Sequence, residues 1–198
     1  MIVSPSRLQA FRTALEGAAF STTAGLRESG IFPWDLSVSR AALCGLSDFP
    51  EKAIFCGEEM MASVLVSHRG ELPGTSVISL EPGHALTLIR SLGVEGDPLD
   101  IYRNVGARVL RGILGWFGGT GGTPAELGDP ILEERSLVAT ILGTHAPPNT
   151  LVGSLEIEFA STDQAFPACL YLLVDAKLLG SALDALENGV GGAGSSVD

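Results

Sequence analysis

Histidine and cysteine are scarce in this chain of 198 residues, with three of each. His68, His84 and His145 are far apart in sequence, and no HxH or HxxxH spacing occurs. A zinc site would need its ligands to converge over long range, and no metal is expected. Cys44, Cys56 and Cys169 are odd in number, form no CxxC, and each lie among apolar residues. That pattern predicts buried free thiols in a reducing compartment. Positive charge is also short. Twelve Lys and Arg stand against 23 Asp and Glu, for a formal net charge of −11. Phosphate backbones and anionic membranes repel so acidic a surface, which argues against nucleic acid or membrane as partners. Arg103, Arg108 and Arg111 are the nearest approach to a basic patch, and at helical spacing they read as a solvated face.

Other absences narrow the field further. No apolar run approaches the roughly 18 residues that span a bilayer. Met1-Ile-Val-Ser-Pro-Ser-Arg lacks the basic-then-apolar pattern of a signal peptide, and a cytoplasmic protein is expected. No GxSxG elbow marks a serine nucleophile. The glycine run Gly118–Gly122 lacks the Lys-Ser/Thr of a phosphate loop and follows a helical pattern instead of a strand, so it reads as a flexible connector. Trp34 and Trp116 read as packing residues.

Apolar residues make up 45% of the chain, ordinary for a globular protein and too many for a disordered one. Leu8, Phe11, Ala14, Leu15, Ala18, Ala19 and Leu26 fall at helical spacing. Leu36–Leu43 predicts a strand. Met60–His68 and Thr75–Leu80 predict a strand pair across a Gly-Pro-rich turn. Glu81-Pro82 opens a helix with Ala85, Leu88, Ile89 and Leu92 as its stripe. Asp97-Pro98 opens a second long helix, apolar at Leu99, Tyr102, Val105, Val109, Leu110, Ile113 and Leu114. The apolar stretch within Ile131–His145 is read as a strand. Leu151–Ala160 alternates cleanly and pairs with Phe166–Val174. Asp175 opens a last helix along Leu178, Leu179, Ala182, Leu183 and Leu186. Residues from Asn188 onward read as disordered.

Two halves share this plan. Strand, turn, strand, acidic start and apolar helix recur, and each unit follows a long helix. Leu80-Glu81, Ile89 and Leu92 map onto Val174-Asp175, Leu183 and Leu186 at a constant offset. Such a period indicates a duplicated supersecondary unit. Neither half buries a sheet face alone, so residues 1–187 are expected to form a single domain of two pseudo-repeats, about 8–92 and 97–187, with a tail at 188–198. Polar groups that face outward on the long helices are the remaining candidates for chemistry. Asp97, Asp100 and Asn104 follow one path along the second helix, and Asp100 and Asn104 are neighbours at i, i+4. Glu16 is a lone carboxylate on the first, with Thr13 one turn before it.

The layout resembles the CheC/CheX family of chemotaxis phosphatases, which dephosphorylate the response regulator CheY. The resemblance covers nearly the whole chain. It rests on the duplication, on Gly70-Glu71-Leu72-Pro73-Gly74 leading into TSVISLEPGHALTLIRSL, and on PLDIYRNVGARVLRGIL. The family's long helices carry an acidic or Ser residue, a Glu four positions on, an Asn three beyond that, and a Pro downstream. Here Asp97 and Asn104 hold the first and third positions, Ile101 replaces the Glu, and Pro124 and Pro130 flank the Pro position. In the first helix the same frame falls on Gln9, Thr13 and Glu16.

The resemblance implies an α+β, CheC-like duplicated fold, an antiparallel sheet with two long helices on one face. It implies binding to a CheY-like receiver domain, and to other chemotaxis or flagellar-switch proteins. In the family mechanism water attacks the receiver's aspartyl phosphate in line, and the phosphatase helix orients that water. Asn104 and Asp100 are then the candidate catalytic residues, and Asp97 and Glu16 candidate partner contacts. No cofactor is implied, since the receiver supplies any magnesium. With Ile101 unable to hydrogen-bond, a signalling interaction module with lost or weak activity is expected ahead of an active phosphatase. A homodimer is left open.

Overall fold

The computed structural model describes residues 4–28, 34–52, 60–70, 72–118, 126–161 and 164–191. Helix α1 spans Pro5–Glu28. Ser4 precedes it, and the Ser4 Oγ accepts from the Arg7 amide at 3.3 Å, which satisfies one otherwise unpaired N–H of the first turn. Its buried stripe runs from Phe11 through Ala14, Ala18 and Ala19 to Leu26, so small side chains bring the helix close to its neighbours. Strand β1 (Asp35–Gly45) leads through a 3-10 turn into the four-residue helix α2 (Phe49–Lys52). Strands β2 (Met60–Arg69) and β3 (Gly74–Leu80) form a hairpin, and helix α3 (Pro82–Ser91) follows.

The second half repeats this order. Helix α4 spans Pro98–Gly118 and is followed by a short strand β4 (Glu126–Leu127) and strand β5 (Ile131–Ser136). Helix α5 is Leu137–Gly143. Strands β6 (Thr150–Ala160) and β7 (Ala165–Asp175) form the second hairpin, and helix α6 (Ala176–Gly191) closes the described chain.

All seven strands join one antiparallel sheet in the order β1-β6-β7-β3-β2, with β5 and β4 both pairing on the far side of β2. The halves therefore interleave. One strand of each half crosses to the edge of the other half's hairpin: β1 pairs β6, and β5 pairs β2. The hairpins meet at the β3–β7 seam, where Val77 lies directly opposite Tyr171. Those two residues are separated by the same 94 positions that separate Leu80 from Val174. A pseudo-twofold axis thus passes between Val77 and Tyr171.

Strand residues alternate between two faces. Ala168, Leu170, Leu172 and Val174 of β7 join the large core formed with α1, α3, α4 and α6. Cys169, Tyr171 and Leu173 join the smaller core that α2 and α5 cover through Phe49, Leu137 and Ile141. Both long helices lie on the first face. The two halves pack them in opposite ways. On β6, Gly153 lies under Phe11, and a Cβ there would sit 2.3 Å from the Phe11 Cζ. On α4, Gly106 lies over Val64 of β2, and a Cβ there would sit 2.8 Å from the Val64 Cβ.

Three expectations need revision. Ile131–His145 is not one strand. It is a strand to Ser136 and then a helix, because the Ser136 hydroxyl accepts from the Ala139 amide at 3.4 Å and caps a helix that buries Leu137 and Ile141. Asn188–Gly191 belongs to α6 and is not part of a tail; residues 192–198 lie outside the described residues. Cys169 is disulfide-bonded, so three free thiols do not hold. An odd count forbids full pairing but permits one bridge. Cys44 is buried, and Cys56 lies outside the described residues. Strand β4 and helix α2, of two and four residues, are too short to carry a periodic signal. Trp34 is buried against Phe166, ring centroids 4.9 Å apart. Gly119–Gly122, Pro124 and the Trp116 side chain lie outside the described residues.

Candidate functional site

The rotation of α4 is set by what it buries. Tyr102, Val105, Val109, Leu110, Ile113 and Leu114 face the sheet. The Tyr102 hydroxyl donates to the Ala62 carbonyl on β2 at 2.8 Å, and burial raises its pKa, so it stays a neutral donor. This anchor turns Asp100, Asn104, Arg108 and Arg111 to the outside of the helix, where all four are exposed.

Asp97 caps the helix. Its Oδ1 accepts from the Leu99 amide at 2.9 Å, and its carbonyl accepts from the Ile101 amide at 3.0 Å. Asp100 in the first turn pairs with Arg103 at 3.1 Å. Both carboxylates sit at the positive end of the helix dipole, which favours them as anions. Asn104 lies one turn beyond Asp100, and its amide has no hydrogen-bond partner among the described residues. Ile101 is half-buried and packs against the main core. It also meets the turn before the helix: a Cβ on Gly96 would lie 3.6 Å from its Cδ1. Position 101 is therefore a packing position.

Glu16 lies on the other long helix. Its Oε1 accepts from the Arg12 Nε at 2.8 Å, an exposed i, i+4 pair. Among the described residues, no hydrogen bond or ion pair joins it to Asp97, Asp100 or Asn104. The structure brings Asp100 and Asn104 together, places Asp97 at the same helix end, and leaves Glu16 apart. On α1, Phe11, Ala14, Ala18 and Ala19 are buried, as Tyr102, Val105, Val109 and Leu110 are on α4. Thr13 on α1 accepts from the Gln9 side-chain amide at 3.4 Å. No group of three or more His, Cys, Asp or Glu able to hold a metal occurs among the described residues.

One feature escaped the sequence reading. A groove of about 530 Å³ runs between α1 and α4. Ser21, Thr22, Gly25, Gly112 and Gly115 give it a small-residue floor beside Leu26, with Arg108 and Arg111 along one side. The helices touch closely here, since a Cβ on Gly112 would lie 2.5 Å from the Thr22 Oγ1. Small residues at helical spacing on both helices were the available signal. Which helix faces which was not legible.

No family model matches the chain, and no curated protein matches it by sequence. Solved structures do. Thermotoga maritima FliY superposes with a TM-score of 0.70 at 15% identity, covering 95% of this chain and 99% of that one. The FliM middle domain from H. pylori superposes at 0.63 and 13% identity, covering 92% and 99%. The CheX of the CheX–CheY–BeF3–Mg complex from Borrelia burgdorferi superposes at 0.50 and 11% identity, covering 81% and 97%. At such identities the likeness shows the fold. This chain has the α+β fold common to FliY, the FliM middle domain and CheX, proteins of chemotaxis and the flagellar switch. No described helix is long and apolar enough to cross a membrane.

Proposed function

We propose that this protein is a chemotaxis- or flagellar-switch-type interaction module that binds a receiver domain through the outer face of α4 and has lost or weakened phosphatase activity. The observation that carries the proposal is Ile101. At the Glu position it is half-buried in the core, so it offers neither water nor partner a hydrogen bond. The missing charge-assisted bond is worth about 1.5–3 kcal/mol, or about tenfold to a hundredfold in rate. The exposed Asn104 and Asp100 remain as contact groups, with Asp97 ordering the helix end that presents them. Likeness to FliM, which is solved in a FliG–FliM complex, and to CheX, solved with CheY, supports this class of partner. The proposal places the protein in the cytoplasm, with no cofactor of its own and with any magnesium held by the receiver.

A second reading is an active phosphatase that hydrolyses the receiver's aspartyl phosphate. The free amide of Asn104, one turn from Asp100, favours it, because these two groups could orient a water.

One experiment separates the two readings. Receiver domains from the same cell are tested for binding with and without beryllofluoride, and phosphate release from the phosphorylated receiver is followed in parallel. The module reading expects binding that Asn104→Ala weakens, release at the spontaneous rate, and acceleration by Ile101→Glu. Robust release by the wild type, abolished by Asn104→Ala, would establish the second reading instead. Neither binding nor release would sink both.

A further inference from the structure

Five of the basic side chains of this acidic protein pair with carboxylates within it. Arg7 pairs with Asp184, Arg12 with Glu16, Arg27 with Asp35, Arg103 with Asp100 and Arg135 with Glu133. Arg108 and Arg111 break the pattern. Both are exposed, neither has an ion pair among the described residues, and they lie three residues apart on the same side of α4. Arg69, Arg90 and Lys177 also have no ion pair there, but each stands on a different element. Arg108 and Arg111 border the α1–α4 groove together.

The shape of that groove limits what fits. Its floor is small and apolar where Gly25, Leu26, Gly112 and Gly115 meet. A Cβ added at Gly25 or Gly115 would touch nothing, so the missing side chains leave open space. Phe20, one residue before the groove-lining Ser21, is 77% exposed, a large apolar group left in water. A small inorganic anion would need buried donors converging on it, and the groove lacks such donors among the described residues. A helix with apolar side chains on one face and carboxylates beside them would fill the open floor and meet both guanidinium groups.

We infer that the α1–α4 groove docks an acidic amphipathic helical segment of a partner protein, with its apolar face over Gly25 and Gly115 and its carboxylates on Arg108 and Arg111. The inference is independent of the receiver-binding reading, because it needs neither a phosphoryl group nor Asn104.

The probe is a labelled helical model peptide with Leu at i, i+3, i+4 and i+7 and Glu beside them. Its controls are the same pattern with Lys for Glu and a scramble of the same composition. Binding is followed by fluorescence anisotropy across a salt series, and the site is mapped by amide chemical shifts. The expected result is binding of the Glu peptide alone, with shifts confined to residues 20–26 and 108–115. Arg108→Glu with Arg111→Glu should weaken it about tenfold or more and flatten its salt dependence. Gly115→Leu should weaken it at every salt concentration by filling the floor. Equal binding of the scramble, shifts elsewhere, or indifference to the arginine reversals would overturn the inference. So would self-association of the protein through this face with no peptide binding. Asn104→Ala should leave peptide binding unchanged. Peptide failure with intact receiver binding would overturn this inference alone.

Discussion

The two long helices hold equivalent places on one sheet and make the same contact with opposite partners. On the α1 side the bulk belongs to the helix: Phe11 fills the space over Gly153. On the α4 side the bulk belongs to the strand: Val64 fills the space under Gly106. Each contact sets a glycine against a bulky side chain, but the glycine is on the strand in one half and on the helix in the other. Close packing needs the space filled and is indifferent to which segment fills it. The outer faces differ as well. The α4 face presents Asp100 and a free Asn104, whereas on α1 Thr13 is engaged by Gln9 and Glu16 by Arg12. The halves thus share a scaffold and differ in the polar groups that their long helices present.

The comparison is broken most severely by removing its largest side chain. Phe11→Ala should cost about 3–5 kcal/mol of stability in chemical denaturation, because the space over Gly153 cannot close by itself. Gly153→Ala should cost about 1–3 kcal/mol, since the new methyl meets the Phe11 ring. A Phe11→Leu background should recover part of that loss, a coupling that a double-mutant cycle would measure. An additive cycle would mean that the two residues do not share the space.

Gly106→Ala is the mirror test. Alanine gains about 1 kcal/mol of helix propensity, which the contact with Val64 opposes. Net destabilisation is expected in the wild type, turning to stabilisation in a Val64→Ala background. Stabilisation in both backgrounds would show that α4 does not press on β2.

A pH experiment sharpens the contrast between the hairpins. His68 on β2 is buried; its ring nitrogens meet the Leu72 carbonyl at 2.7 Å and the Ser76 hydroxyl at 3.0 Å. The carbonyl can only accept, so Nδ1 carries the proton and Nε2 accepts from Ser76. Burial lowers the pKa of the ring below its ordinary 6.5. The unfolded chain therefore takes up the proton first. Stability is full above about pH 6.5 and falls as the pH drops toward the folded value. Denaturation midpoints at pH 7 and pH 5 should differ in the wild type and converge in His68→Gln. The smallest effect belongs to the helix starts. Asp97→Ala should cost about 1 kcal/mol and Ser4→Ala about half that, in thermal or urea melts, because Asp97 makes the shorter cap bond and carries charge at the dipole.

Much of this protein was legible in its residues. Apolar stripes at periods of 3.6 and 2 located the long helices and both hairpins, because burial of one face is recorded locally. The offset from Leu80-Glu81 to Val174-Asp175 was also legible, and it is the separation of Val77 and Tyr171 across the seam. Asp97 was a visible helix start, and Asp100 and Asn104 were visible neighbours. The short helix α5 was not: a brief apolar run suits a buried strand or a buried helix equally well, and the Ser136 cap decides between them only once β5 has paired.

What the sequence by itself determined is the inventory: seven strands less one, two long helices and a duplication. What only the tertiary structure decided is placement. The exchange of β1 and β5 between halves, the burial of Ile101, the bonding of Cys169 and the meeting of Arg108 and Arg111 with Gly25 all depend on contacts between residues distant in the chain. Local propensity records which side of an element is apolar. It does not record which other element covers that side, and the candidate site and the groove are both defined by that second fact.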